Sequence, residues 1–170
     1  SILMLFTILY MLTILLMEKK DKEIYKGLSD TDALTGLFNR RAFQAAVDET
    51  LLKRISGVFI FIDVDNFKDY NDKYGHANGD LCLKHFAATM KKCFPKDSIL
   101  GRYGGDEFVV YIKNATSDDA HRYMDEFQRE ISHLMMSGGE HVTVSASAGG
   151  VAFIGGGEDF VSLCRSADNM

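Results

Sequence analysis

The run Leu100-Gly101-Arg102-Tyr103-Gly104-Gly105-Asp106-Glu107-Phe108-Val109-Val110-Tyr111-Ile112 decides the fold. Two short stretches of strand-forming side chains flank a Gly-Gly pair, followed at once by two adjacent carboxylates. The pattern reads as a β-hairpin, with the glycines placed where a tight turn asks for positive φ. Acids at its tip, beside backbone that a ligand can approach closely, point to a metal or phosphate site. The hairpin alone supplies half of such a site.

The other half lies upstream. Gly57-Val58-Phe59-Ile60-Phe61-Ile62 is an unbroken apolar run, the mark of a central strand covered on both faces. It leads into Asp63-Val64-Asp65-Asn66-Phe67-Lys68. An acid at the carboxyl end of a buried strand occupies a common place for ligand sites, and burying it is costly without a cationic partner. A structural salt bridge is the alternative reading of Asp63. Side-chain alternation sends Asp63 and Asp65 to one side of the strand. Asp65 is expected to cap a helix from Asn66 to Tyr74, whose first amides then face an anion. Gly75 and Gly79 are expected to break that helix, and Asp80 to begin another running to about Phe94. Asn71 and Asp80 carry side chains able to read a base edge, or simply to cap the loop. His76 alone reads as a satisfied loop histidine in preference to a ligand or base.

Asp30 to Arg41 is a turn-rich junction before a helix reaching about Arg54, with Ala42, Phe43, Ala46, Val47 and Leu51 on its buried face. Arg40 and Arg41 read as phosphate ligands or surface charges, with a structural role preferred. Beyond Pro95 and the hairpin come a helix from about Ser117 to Met136 and a strand from Val142 to Val151. In that strand Val142, Val144, Ala146 and Ala148 alternate with polar positions. Gly155-Gly156-Gly157 reads as a flexible turn, because no strand enters it directly and no Lys-Ser/Thr follows. A last helix runs towards Met170. Without the extra helices the order is β-α-β-β-α-β, a ferredoxin-like α+β arrangement with helices packed on an antiparallel central sheet. In it the hairpin lies beside the first strand and brings Asp106 near Asp63.

Bulk properties agree with one domain and a real core: 170 residues, 46% hydrophobic and 25% charged. The net charge of −5 excludes a general basic surface for nucleic acid. Cys82, Cys93 and Cys164 lack metal-ligand spacing and read as buried thiols in a reducing compartment. Ile2 to Met17 carries no charged side chain. Residues 1–17 therefore read as a transmembrane helix cut at its outer end, in preference to a signal-peptide core or a buried helix. Lys19, Lys20, Lys22 and Lys26 follow, placing the remainder in the cytoplasm by the positive-inside tendency. Residues 18–31, with Met17, Ile24 and Leu28 at spacings of seven and four, read as a helical stalk or a solvated linker helix.

Two acids from neighbouring strand ends, with a backbone carbonyl, suit Mg²⁺, a hard cation that also binds nucleotide phosphates. Phosphoryl transfer needs mainly positioning and charge neutralisation, and these groups supply both. From Asp32 to Met170 the chain resembles the GGDEF family of diguanylate cyclases, which condense two GTP into cyclic di-GMP and release pyrophosphate. The resemblance is carried by Asp32-Ala33-Leu34-Thr35-Gly36-Leu37-Phe38-Asn39-Arg40-Arg41, by Asp63-Val64-Asp65-Asn66-Phe67-Lys68, and by Asn71-Asp72-Lys73-Tyr74-Gly75-His76 with Gly79-Asp80. It continues in Arg102-Tyr103-Gly104-Gly105-Asp106-Glu107-Phe108, Val142-Thr143-Val144-Ser145 and Ala167-Asp168.

The resemblance implies the palm fold of nucleotidyl cyclases and a Mg²⁺ cofactor, with Mn²⁺ as an alternative. It implies Asp63, the Val64 carbonyl and Asp106 as metal ligands, and Asp106 as proton acceptor for the attacking 3′-hydroxyl. Glu107 is implied as a further ligand or base and Lys68 as transition-state stabiliser. The amides of Asn66 and Phe67 are implied as phosphate cradle, and Gly104 and Gly105 as substrate-facing backbone. Asn71 and Asp80 are implied as guanine readers and His76 as a weaker contact. GTP is the implied substrate, cyclic di-GMP the product, and a homodimer the catalytic unit, without nucleic acid. The implied location is the inner membrane of a bacterium, with the catalytic domain in the cytoplasm.

Two departures stand out. The family's product-inhibition Arg-x-x-Asp falls here on Pro95-Lys96-Asp97-Ser98, with neither end in place, so feedback inhibition by that route is not expected. The family also continues past Ala-Asp with a helix bearing a phosphate-binding Lys and Arg, then a final strand. Those groups are absent from this sequence, so the domain over 32–170 is expected to lack its C-terminal end and to leave a sheet edge unpaired. Two other readings compete: a non-catalytic regulator binding GTP or cyclic di-GMP, and a cyclase making a cyclic mononucleotide.

Overall fold

The computed structural model describes residues 8, 10–15, 30–132, 134–135, 141–153, 160 and 162. The chain forms two compact units, Ser1–Asp30 and Thr31–Met170. In the first, residues 8 and 10–15 are helical, with exposed apolar side chains such as Ile8, Tyr10 and Leu15. Among the described residues no helix is long and apolar enough to cross a membrane. Most of the Ile2–Met17 run, residues 18–29 of the stalk, Gly155 to Gly157, Cys164 and Ala167-Asp168 lie outside the described residues.

The second unit is built on a five-stranded sheet of order β1-β3-β4-β2-β7, with β1 Phe38–Asn39, β2 Gly57–Val64, β3 Ile99–Arg102, β4 Glu107–Lys113 and β7 Ala146–Phe153. Its helices include α1 Arg40–Leu52, α2 Phe67–Tyr74, α3 His76–Cys93 and α4 Ser117–Ile131. The hairpin strands β3 and β4 pair antiparallel, β4 pairs antiparallel with β2, and β2 with β7. This is the ferredoxin-like arrangement, widened by a two-residue β1 that runs parallel to β3. The junction before α1 therefore contributes a strand that its turn-rich composition conceals.

The unbroken apolar run of β2 is explained by burial on both faces. Val58, Ile60, Ile62 and Val64 share one core with Phe108, Val110 and Ile112, packed against Leu83, Phe86 and Met90 of α3 and Phe127 and Ile131 of α4. Phe86 anchors it, with ring centroids 4.5 Å from Phe108 and 4.8 Å from Phe127. The opposite face carries Phe59, Val109 and Tyr111 against Phe43, Val47 and Leu51 of α1, joined by Phe160. Caps fix two helix starts. Asn39 accepts the Ala42 amide at the head of α1, and Thr116 with Asp119 closes a capping box on α4.

Several expectations from the sequence are corrected. Gly75, at φ 82°, alone separates α2 from α3, which begins at His76 instead of Asp80. Gly79 lies inside α3, and a Cβ there would fall 1.9 Å from Asn71 Oδ1. Its lack of a side chain admits close approach of α2. The cap of α2 is Asn66, in the left-handed region at φ 54° and without a side-chain cap bond, and not Asp65. Helix α4 stops at Ile131, where the Ser132 hydroxyl donates to the Arg129 carbonyl and competes with the helix ladder. Leu134–Met135 (β5) instead pairs with His141–Val142 (β6) in a separate two-stranded sheet. The long strand expected from Val142 therefore starts only at Ala146. Val144 and Ala146 are buried as the alternation implies, whereas Ala148 is exposed.

Candidate functional site

Strand pairing assembles the carboxylates. In the β2–β4 ladder Asp63 stands directly opposite Glu107, and the Val64 amide donates to the Asp106 carbonyl at 3.2 Å. Directly opposed residues point to the same face of a sheet. Phe59 and Phe61 lie on the α1 side of β2. Asp63, two positions further on, therefore opens on that side with Glu107. Asp65 reaches the same corner: the Ser147 hydroxyl, from the residue opposite Asp63 in the β2–β7 ladder, donates to Asp65 Oδ1 at 2.6 Å.

The loop Tyr103 to Asp106 is not a positive-φ turn; neither Gly104 nor Gly105 occupies that region. The need for glycine at Gly104 is steric. A Cβ there would lie 2.1 Å from Glu107 Oε2, so the carboxylate of Glu107 folds back over bare backbone. Around Gly105 there is open space. The loop is held from outside by Arg102, whose Nε and Nη2 donate to the Gly105 carbonyl at 3.2 and 2.7 Å. Arg102 Nη1 also bonds Asp32 Oδ1 at 3.1 Å. Asp32 in turn accepts the amide and hydroxyl of Thr35. Burial pushes the Asp32 carboxyl up, but the bonds from Thr35 and Arg102 outweigh it and hold Asp32 below the usual carboxylate range. The Asp32–Arg102 clamp is not apparent from the sequence. Both residues stand in the quoted motifs, but nothing local shows that they meet across 70 positions.

Electrostatics at the corner are self-repelling. Partial burial, then the charges of Asp106 and Asp65, push the Asp63 carboxyl above its ordinary value. Asp65 is held below its ordinary value by the hydroxyls of Ser145 and Ser147. Among the described residues, no group of three or more His, Cys, Asp or Glu side chains is placed to hold a metal ion. The donor set at the corner is instead two carboxylates, Asp63 and Asp106, with the adjacent Val64 backbone. It is all oxygen, of one sign, and destabilised by its own charge, which is the chemistry a hard divalent cation relieves.

Beside the corner, α2 starts at Phe67, so the Asn66, Phe67 and Lys68 amides have no intrahelical acceptor. Lys68 is exposed in the first turn. Asn71 Oδ1 is buried with no hydrogen-bond partner among the described residues and lies against Gly79, the neighbour of exposed Asp80. His76 is exposed at the first position of α3. The structure thus gathers Asp63, Val64, Asp106 and Glu107 at one strand end, with Asn66, Phe67 and Lys68 leading out of it. It sets Asn71, His76 and Asp80 around the α2–α3 corner. Arg40 stacks its guanidinium 4.4 Å from the centre of the Tyr103 ring, at the start of the loop before Asp106. In place of the family's product-inhibition motif, Pro95 to Ser98 forms a turn in which the Ser98 amide bonds the Pro95 carbonyl.

The family model described as diguanylate cyclase, GGDEF domain, matches residues 29–170. The cyclic di-GMP phosphodiesterase PdeR of Escherichia coli K12 is 32% identical over 154 residues, covering 89% of this chain and 23% of PdeR. The diguanylate cyclase DgcM of the same strain is 31% identical over 156 residues, covering 89% of this chain and 37% of DgcM. The chain therefore spans well under half the length of these curated relatives. The crystal structure of diguanylate cyclase SiaD from Pseudomonas aeruginosa, in complex with its activator SiaC, is similar at TM-score 0.78 and 29% identity, over 92% of this chain and 62% of that one. The GGDEF domain of DgcB from Caulobacter crescentus, in complex with c-di-GMP, is similar at TM-score 0.74 and 28% identity, over 82% of this chain and 84% of that one. Matched by the family model over most of its length, the chain belongs to the GGDEF domain family of diguanylate cyclases.

Proposed function

We propose that this domain condenses two GTP molecules into cyclic di-GMP with release of two pyrophosphates, one GTP being held by each domain of a homodimer. The observation that carries the reading is the β2–β4 register, which sets Asp63 opposite Glu107 and bonds Val64 to Asp106. Asp63, Asp106 and the Val64 carbonyl would hold Mg²⁺, or Mn²⁺. The cation, when bound, offsets phosphate charge and polarises the phosphoryl oxygens. The amides of Asn66 and Phe67 cradle the terminal phosphates, and Lys68 adds a point charge that stabilises the transition state.

Asn71 and Asp80 read the guanine edge. The unpartnered Asn71 oxygen supports this, since a buried acceptor without a donor gains most from a ligand that supplies one. The backbone of Gly104 and Gly105 lines the substrate side of the loop, and His76 makes an outer contact. Asp106, with Glu107 beside it, takes the proton of the 3′-hydroxyl as that oxygen bonds to the α-phosphorus of the facing GTP. The bond to pyrophosphate then breaks. One domain holds one nucleophile and one electrophile of different bonds, so closure of the ring requires two domains face to face.

Attachment to the bacterial inner membrane, with this domain in the cytoplasm, is part of the same proposal. It rests on the run from Ile2 to Met17 without a charged side chain and the four lysines that follow. The non-catalytic reading has one observation in its favour: PdeR, 32% identical over the matched region, is named a phosphodiesterase. The two separate on one experiment. The full reading frame encoding this chain, purified and incubated with Mg²⁺ and GTP, yields cyclic di-GMP by liquid chromatography, and its Asp106→Ala variant does not. GTP binding without any product would leave the regulator reading standing.

A further inference from the structure

Asp65 lies one residue beyond β2, inside the sequence that carries the ligand-bearing corner, yet its carboxylate does not face a ligand. Both of its oxygens are already taken. The Ser145 hydroxyl donates to Oδ2 at 2.6 Å and the Ser147 hydroxyl to Oδ1 at 2.6 Å. The Asp65 amide donates to the Ser145 carbonyl at 3.0 Å, completing a three-point attachment between the corner and the head of β7. The head of β7 is itself tied down, because Gln128 Nε2 of α4 donates to the Ala146 carbonyl at 2.5 Å. Ser145, just before β7, and Ser147, within it, both reach the Asp65 carboxylate, so one carboxylate spans both. Hydrogen bonds to a charged acceptor are the stronger kind, and two on separate oxygens fix the plane of the group as well as its place.

What this fixes is the stretch Val64-Asp65-Asn66. Asn66 sits at φ 54°, in the left-handed region that asparagine tolerates better than most non-glycine residues and that sets the turn from β2 into α2. The same stretch sets the direction of the Val64 carbonyl and of the first α2 amides. We propose that Ser145 and Ser147 are positioning residues for the metal and phosphate site: they pin Asp65 to β7, hold the left-handed turn at Asn66, and keep the Val64 carbonyl aimed at the cation. The proposal rests on the metal reading above. It assigns Asp65 a structural task and leaves ligation to Asp63 and Asp106.

The test is Mn²⁺ binding to the nucleotide-free protein, read by calorimetry and by loss of the free-ion electron paramagnetic resonance signal. Ser147→Ala, at an exposed position, and Ser145→Ala are compared with Ser145→Thr and Ser147→Thr, which keep a hydroxyl and suit a strand. The expected result is a Mn²⁺ dissociation constant raised about tenfold in each alanine variant and near the parent value in the threonine variants. A tenfold change corresponds to about 1.4 kcal/mol. Thermal unfolding without metal, recorded in parallel, separates positioning from general loss of fold. If an alanine variant is merely unfolded, its threonine counterpart still decides: it must bind Mn²⁺ as the parent does. Equal Mn²⁺ affinity in folded alanine variants and parent would overturn the positioning role alone. Failure of the parent protein to bind Mn²⁺ would instead overturn the metal reading on which it rests.

Discussion

Replacing Arg102 by Ala tests how the loop before the paired acids is held. The guanidinium makes two bonds to the Asp32 carboxylate, at 3.1 and 3.3 Å, and two to the Gly105 carbonyl. The Arg102 and Asp32 side chains are only 15% and 24% exposed, so solvent screens the pair in part. A hydrogen bond to a charged group contributes about 1.5–3 kcal/mol. The Gly105 carbonyl sits on an exposed loop and rehydrates once released. The expected loss in Arg102→Ala is therefore about 2 kcal/mol, a fall in unfolding temperature of roughly 4–8 °C for a domain of this size. Arg102→Lys keeps the charge but not the fork, and should lose about half as much.

The pH dependence fixes the sign. Asp32 has a folded-state value below its ordinary one, so its contribution is full above the unfolded-state value, about 3.9, and is lost as pH falls through the folded value. The gap between parent and Arg102→Ala should be widest near neutrality and narrow on acidification. Circular dichroism melts at several pH values measure it, with Asp32→Ala completing a double-mutant cycle. Unchanged melting at pH 7, or strictly additive effects of the two substitutions, would refute the clamp.

Three further expectations follow from the geometry. Gly79→Ala places a Cβ 1.9 Å from Asn71 Oδ1, forcing the amide aside. It should cost about 1–3 kcal/mol by overpacking and raise the KM for GTP more than it lowers kcat, as steady-state kinetics would show. Asp63→Asn removes a carboxylate whose ionised form is disfavoured in the folded state by burial and by Asp106 and Asp65. Because its folded-state value is raised, the ionised group opposes folding increasingly as pH rises past the unfolded-state value, about 3.9, and fully above the folded-state value. The variant should melt higher than the parent at pH 7 without metal, converge with it at acid pH, and bind no Mn²⁺. An equal gain at acid pH would exclude the electrostatic cause. Finally, with Pro95-Lys96-Asp97-Ser98 at the family's inhibition motif, equilibrium dialysis should show no tight cyclic di-GMP binding, and added product should leave initial rates unchanged.

Local pattern made most of the sheet legible. The apolar run of β2, the hairpin strands and the buried face of α1 each announce themselves within a few residues, and their order permits few topologies. The nearness of Asp63 and Asp106 was one arrangement that topology offered, since the hairpin can lie beside β2, and the β2–β4 ladder realises it. What stayed hidden depends on contacts between distant positions. Gly79 looks like a helix breaker until α2 is seen crossing it. Asp65 looks like a helix cap until Ser145 and Ser147, 80 and 82 residues on, are found on its two oxygens. The two-residue β1 has no pattern of its own and exists because β3 lies alongside it. The glycines of the loop carried the opposite lesson. Their identity was legible, but the reason at Gly104 is the Glu107 carboxylate folded over it and not a positive φ.

In the proposed function, carboxylates brought together by the β2–β4 register serve GTP condensation between two copies of the domain. The most direct measurement is the rate of product formation from α-³²P-labelled GTP and Mg²⁺ as the concentration of the full-length protein is raised, with the product identified by mass. The expected outcome is cyclic di-GMP retaining the label, a rate per chain that climbs with concentration until dimers saturate, and no product from Asp106→Ala. A cyclic mononucleotide, a rate per chain independent of concentration across the monomer–dimer transition, or undiminished product from Asp106→Ala would contradict it.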